Sequence, residues 1–268
     1  MTVEYIKEFS EDYMALMKES HRMHCESENI VGYINISTCT MVANLGTHIN
    51  LMGLLLHFKS PLYPICTIKQ AKSSKEYEYT KRGKQKKSFY NQATITYKEN
   101  TTKSIKVFTN GKLQMTGMTS MKDAIRAIET VSGILENAKC VSIKPSIVSI
   151  DIEMINSNFR FSKELDLKAF ANVMRDTKYD SSYEPDVYPG VIIKHNGSSI
   201  FVFGTGNVVI TGAKHLESIK MSYVYISELL MASSQCHLRK TQCVTKKQNM
   251  KRIHGYTTDA YDACLVPH

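Results

Sequence analysis

The 268-residue chain is long enough for one sizeable core or two small ones, and its 43% hydrophobic and 22% charged residues are those of a globular fold. A formal charge of +9 favours a polyanionic partner, and seven cysteines with no Cys-x-x-Cys read as free thiols rather than a disulfide framework. The longest apolar run, LMGLLLHF from Leu51, is too short to span a bilayer, and the first residues are too acidic for a secretory signal, so no membrane is expected.

Residues 4–24 predict a helix with Ile6, Phe9, Tyr13, Met14 and Met17 on one stripe. NIVGYINIS (29–37) alternates like a strand, and THINLMGLLLHF (47–58) reads as a half-buried helix. Residues 59–88 are polar, without a period, and read as loop; KRGKQKK (81–87) holds five basic residues of seven. Strands follow at 89–97, 104–108 and 112–116, with Asn110-Gly111 as a tight turn, and then a helix at 120–135. The order restarts with a strand at 147–152, a helix at 163–174, strands at 190–194, 199–203 and 207–211, and a helix at 216–230. From Leu229 to Thr258 there is no acid, which leaves a basic C-terminal tail.

The windows beginning at Val107 (VFTNGKLQMTG) and Val202 (VFGTGNVVITG) share residues at an offset of 95, and Val31, Ile34 and Ile36 align with Ile147, Ile150 and Ile152 at an offset of 116. The chain therefore reads as a tandem duplication of one α+β unit. The expected segments are an N-terminal helical extension (1–28), a first repeat (29–137) with a basic insertion at about 59–88, a second repeat (138–232) and the tail (233–268). Two such units paired sheet to sheet make one curved antiparallel surface whose helices cover one face and leave the other open for a ligand.

YEPDVYPG (183–190), a strand pair ending at Phe203 and TGNVVITGAK (205–214) resemble the second repeat of the TATA-box-binding protein family; NIVGYINI and FTNGKLQMTG resemble the first. The resemblance covers roughly residues 28–232 and suggests a divergent, viral or remote member. It implies a saddle: a ten-stranded sheet seated on the DNA minor groove with four helices on its convex back, in a family known for kinking its duplex.

The resemblance assigns base-step wedges to Phe89 and Phe108 in the first repeat and to Tyr188 and Phe203 in the second. The competing reading of these rings is core or turn packing. The groove floor falls to Val31, Thr116, Ile147, Val209 and Thr211, with Asn29 as the central amide facing A·T acceptors; the alternative for Asn29 is a turn residue. Phosphate contacts fall to Lys87, Lys112, Lys194 and Lys214. Lys106 and Gln114 stand where the family has a leucine and a valine, and Lys106 adds a phosphate or acceptor contact; Met118 and Asn207 replace family lysines. Glu184, Asp186 and Val187 match the loop where transcription factor IIB docks.

The implied function is a general initiation factor that binds and bends A/T-rich promoter DNA and recruits a factor-IIB-like protein and RNA polymerase machinery. The alternative is a saddle-fold interaction module with weak or lost base readout. The implied location is the nucleus or, for a viral member, a virus factory, the host cytoplasm or the virion. Cys236, His237, Cys243 and His254 have zinc-ligand chemistry but fit no common finger spacing, and no catalytic constellation stands out. Neither a metal, another cofactor, a small-molecule substrate nor an enzymatic activity is expected.

Overall fold

Alternation of apolar and polar residues builds the strands of this chain, and the structure, a computed structural model, describes residues 2–57, 67–70, 91–98, 102–175, 177 and 179–238. The elements in chain order are α1 (Thr2–Glu26), β1 (Asn35–Asn44), α2 (Leu51–His57), β2 (Thr67–Gln70), β3 (Gln92–Lys98), β4 (Thr102–Phe108), β5 (Lys112–Met118) and α3 (Met121–Asn137). They continue with β6 (Ser149–Arg160), α4 (Leu167–Arg175), β7 (Ser181–Ser182), β8 (Gly190–His195), β9 (Ser198–Phe203), β10 (Asn207–Ala213) and α5 (Leu216–Ala232). The ten strands form one open antiparallel sheet in the order β2-β3-β4-β5-β1-β6-β10-β9-β8-β7.

The two halves meet at β1 and β6. Cys39 pairs with Ile155, its own counterpart at the offset of 116, so the pseudo-dyad runs through that pair. Matching hydrogen bonds carry the symmetry outward. Leu45 N donates to Gly111 O at 3.0 Å and Phe161 N to Gly206 O at 2.8 Å; Ile49 N donates to Thr109 O and Leu165 N to Gly204 O, both at 2.9 Å. Gly111 and Gly206 close the hairpins at φ +81° and +82°, and a Cβ on either would meet a backbone oxygen, Thr47 O or Phe161 O, at 2.1 Å. A left-handed turn in such close contact admits only glycine, which is why the two hairpins spell nearly the same sequence.

Every second strand residue faces the helices. Ile105, Val107, Leu113, Met115, Ile200, Val202, Val208 and Ile210 are all fully buried in one cluster with residues of the helices. α3 packs on β5, α5 on β6, β9 and β10, and α1 lies against both α3 and α5. α1 buries Phe9, Leu16 and Met23. Ser20 Oγ accepts from Ile34 N at 3.0 Å, and the buried Tyr223 of α5 donates to Gly32 O at 3.0 Å while its ring meets Phe159 edge-on. In the first repeat a buried Lys103–Asp123 pair ties β4 to the start of α3; Lys103 Nζ also donates to Gly117 O, and Asp123 accepts from Thr119 N. The equivalent positions in the second repeat, at the offset of 95, are the neutral Ser198 and Ser218, and Ser198 Oγ lies 2.7 Å from Ser222 Oγ, one turn further along α5.

Several elements differ from the sequence reading. The first strand is Asn35–Asn44, not 29–37. Residues 30–34 are an extended lead-in, with Val31 and Ile34 buried and only a single bridge from Val31 to Phe161. β6 continues to Arg160, well past residue 152, and the stretch read as loop contains β2, paired with β3. On α1, Met14 and Tyr13 are exposed (58% and 36%) instead of lying on the buried stripe, whose phase Leu16 and Met23 set.

Candidate nucleic-acid interface

The other face of the sheet carries the alternate residues, half-buried or exposed. On β4 and β5 these are Lys106, Phe108, Lys112, Gln114 and Thr116; on β9 and β10 they are Phe201, Phe203, Val209 and Thr211. Cross-strand pairing lines them up. Thr116 stands between Ser104 and Thr40, and Thr211 beside Ser199 and Asn156. Thr211 Oγ1 donates to the Asn156 side chain. Thr116, Val209 and Thr211 therefore share the face on which the resemblance put them.

Asn29 and Val31 do not. Asn29 sits at φ +65° in the turn that closes α1, and Val31 is fully buried. Ile147 precedes β6 and is half-buried against the core. The error has one cause: these three were placed on strands that begin four or more residues later for β1 and two residues later for β6. Amides do reach the open face, but as Asn35, Asn156 and Asn158. Their weak signal was alternation, of Asn156 and Asn158 with Ile155, Ser157 and Phe159 and of Asn35 with Ile34 and Ile36, all of which are buried.

Phe108 and Phe203 occupy equivalent places at the hairpin ends, where Gly111 N donates to Phe108 O and Gly206 N to Phe203 O. Tyr188 stands with its ring centre 5.5 Å from that of Phe201 and 5.9 Å from that of Phe203. Phe201 was not among the expected wedges, although its place on β9, between two buried residues, points it the same way as Phe203. Phe89, Lys87 and the basic run 81–87 lie outside the described residues.

The cations are spread across and around this face. Lys106 is half-buried at mid-strand, Lys112 is exposed at the start of β5, and Lys194 donates to Ser199 Oγ at 2.6 Å. Lys214 Nζ lies 2.7 Å from Glu153 Oε2, so its charge is already paired. Asp151, on β6, is exposed on the open face opposite Val42. Beyond the second hairpin, Glu184, Asp186 and Val187 form a tight turn in which Glu184 O accepts from Val187 N and Tyr188 N; Val187, directly after Asp186, is 80% exposed.

His237 Nε2 stands 2.7 Å from Leu230 O, and Cys236 is buried, with burial pushing its thiol pKa up. Cys243 and His254 lie outside the described residues, and among the described residues no three side chains are grouped to hold a metal. No helix among them is long and apolar enough to cross a membrane.

The family described as transcription factor TFIID (or TATA-binding protein, TBP) matches residues 149–232. A TATA-box-binding protein of Methanobrevibacter smithii is 30% identical over 129 residues, spanning 46% of this chain and 68% of that protein. The chain belongs to the TATA-box-binding protein family. A TATA-box-binding protein-like protein of Acanthamoeba polyphaga mimivirus is 32% identical over 207 residues, 65% of this chain. The chain spans 55% of that relative's length and 61% of that of a Methanothermobacter thermautotrophicus TATA-box-binding protein, also 32% identical. Among solved structures, Methanococcus jannaschii TBP matches at a TM-score of 0.52 and 20% identity, over 74% of this chain and 98% of that one. That likeness is one of fold: the TATA-box-binding protein saddle, an open antiparallel sheet with helices.

Proposed function

We propose that this chain is a transcription initiation factor that binds duplex DNA in the minor groove, bends it, and recruits a factor-IIB-like protein with the polymerase machinery behind it. The observation that carries this is the open sheet face, flanked at equivalent hairpin ends by Phe108 and Phe203. Family membership and the net charge of +9 support the same reading. Rings at the hairpins act as wedges, the threonines and Val209 lie against the groove floor, and Lys106, Lys112 and Lys194 neutralise phosphates. The family's role is non-enzymatic, and no chemistry beyond binding is required. The site of action is where transcription occurs, the nucleus or a viral replication compartment.

The test is salt. Log K for a promoter-length duplex falls with log salt at about −0.9 per phosphate contact, so several lysine contacts give a steep slope. A flat slope in a fluorescence-anisotropy titration rejects the DNA reading. The second reading, an interaction module, is favoured by one observation: the carboxylate of Asp151 stands on the open face, where it repels a polyanion. A flat salt response selects it.

The partner surface has its own test. The exposed Val187, in one turn with Glu184 and Asp186, is an apolar anchor beside acidic groups, suited to a basic protein. Charge reversal at Glu184 and Asp186 weakens capture of a factor-IIB-like protein about tenfold and leaves DNA affinity unchanged. Equal loss of both activities makes the turn a structural element only.

A further inference from the structure

The two halves of the open face are equivalent in backbone and opposite in chemistry. In the first half Lys106, Gln114, Val42 and Asp151 form one cross-strand row over β4, β5, β1 and β6. The equivalent row in the second half is Phe201, Val209, Asn158 and Asn35 over β9, β10, β6 and β1. Lysine thus faces phenylalanine across the dyad, glutamine faces valine, and aspartate faces asparagine. Among the described residues, the side chains of Gln114 and Asp151 make no hydrogen bond to protein, and both point out of the open face.

Minor-groove edges of A·T pairs display acceptors alone, whereas a G·C pair adds the guanine N2 amine, a donor. The Asp151 carboxylate accepts only, so it is repelled by an A·T edge and matched by that amine. The Gln114 amide serves either edge, and Lys106 offsets the carboxylate's charge along the same row. Directly under Phe201 and Val209 the amine meets only apolar side chains and loses its water without replacement, the acceptors of that row being the neutral amide oxygens of Asn158 and Asn35 on the neighbouring strands. Resting on the minor-groove reading above, we propose that the two halves select different base pairs: guanine is accepted beneath Gln114 and Asp151, and A·T pairs are required beneath Phe201 and Val209. An asymmetric site of this kind also fixes one direction of binding on the duplex, which a symmetric saddle does not.

Inosine isolates the contact, since it pairs with cytosine yet lacks the N2 amine. The full chain is titrated at fixed salt against four duplexes: A·T throughout, two G·C pairs in one half, the same with inosine for guanine, and G·C in both halves. The expected result is that the one-half G·C duplex binds about five- to tenfold tighter than its inosine twin and that the two-half G·C duplex binds worst. In the Asp151→Asn, Gln114→Val double variant, guanine and inosine bind alike. That ratio is insensitive to the overall gain in affinity that removing a negative charge brings. Equal binding of guanine and inosine duplexes by the unaltered chain, with A·T throughout still bound, overturns this inference alone. Failure to bind any duplex overturns the minor-groove reading as well.

Discussion

A ring that enters a base step is effective when it is apolar and when nothing nearby can replace it. Phe108 has no aromatic neighbour among the described residues, whereas Tyr188 is one of three rings with Phe201 and Phe203. Unstacking a step costs a few kcal/mol. Phe108→Ala is therefore expected to reduce the bend more than Tyr188→Ala does, read as energy transfer between the labelled ends of a duplex. Tyr188→Phe tightens binding modestly, because a hydroxyl no longer has to be dehydrated. An intact bend in Phe108→Ala means that the ring is turn packing. The shared face of Phe108, Phe203, Thr116, Val209 and Thr211 was legible in the sequence, since the family resemblance falls on the two echoing hairpins, while Tyr188 was assigned through the resemblance of YEPDVYPG. Asn29 and Val31 were misplaced because the lead-in to β1 alternates like a strand while its apolar side chains pack into the core.

Among the elements, the junction of β4 with α3 carries the sharpest test. Lys103 and Asp123 are 3% and 6% exposed and complete each other's bonding together with Gly117 O and Thr119 N. Removing Lys103 takes away the buried partner of Asp123 and leaves the carboxylate with only the exposed Arg126, whose Nη2 lies 3.8 Å from Oδ1. Lys103→Met is expected to lower unfolding free energy by about 3–5 kcal/mol, and the double variant Lys103→Met, Asp123→Leu to recover much of it, measured by urea titration. A single-variant loss under 1 kcal/mol means that water reaches the pair. Nothing in the sequence announced this junction, because a lysine in an alternating strand reads as a solvent-facing residue. The short outer strands were equally silent: β7 has two residues, and β2 has four within a polar stretch. The true β1, NISTCTMVAN, was hidden because a strand with threonines and asparagines on its open face lacks the apolar density of its lead-in.

At the scale of the whole molecule, two acidic groups sit where its parts join. Cys39 lies on the pseudo-dyad, and burial pushes its thiol from 9.0 up to about 12. Tyr223, at the meeting of α5 and α1, is pushed by burial from 10.0 up to about 12. Both pKa values are raised by folding, so the neutral forms belong to the folded state and the anions to the unfolded one. Their contribution is whole below pH 9 and is lost as pH climbs from 9 towards 12. The urea midpoint is expected to fall between about pH 9 and about pH 11, and to fall less steeply in Cys39→Ala. Identical slopes in the two proteins exclude the thiol as the source.

The docking of α1 on α5 also orders events in time. Translation delivers α1 before α5, yet Tyr223, which meets Ser20 and anchors the lead-in through Gly32, belongs to that later helix, which starts about 190 residues after α1 ends. At the usual rates of synthesis that interval is roughly ten to forty seconds. Throughout it the stripe of Phe9, Leu16 and Met23 has no complete surface to settle on, so α1 is made before the helices it packs on and is among the last to find its place.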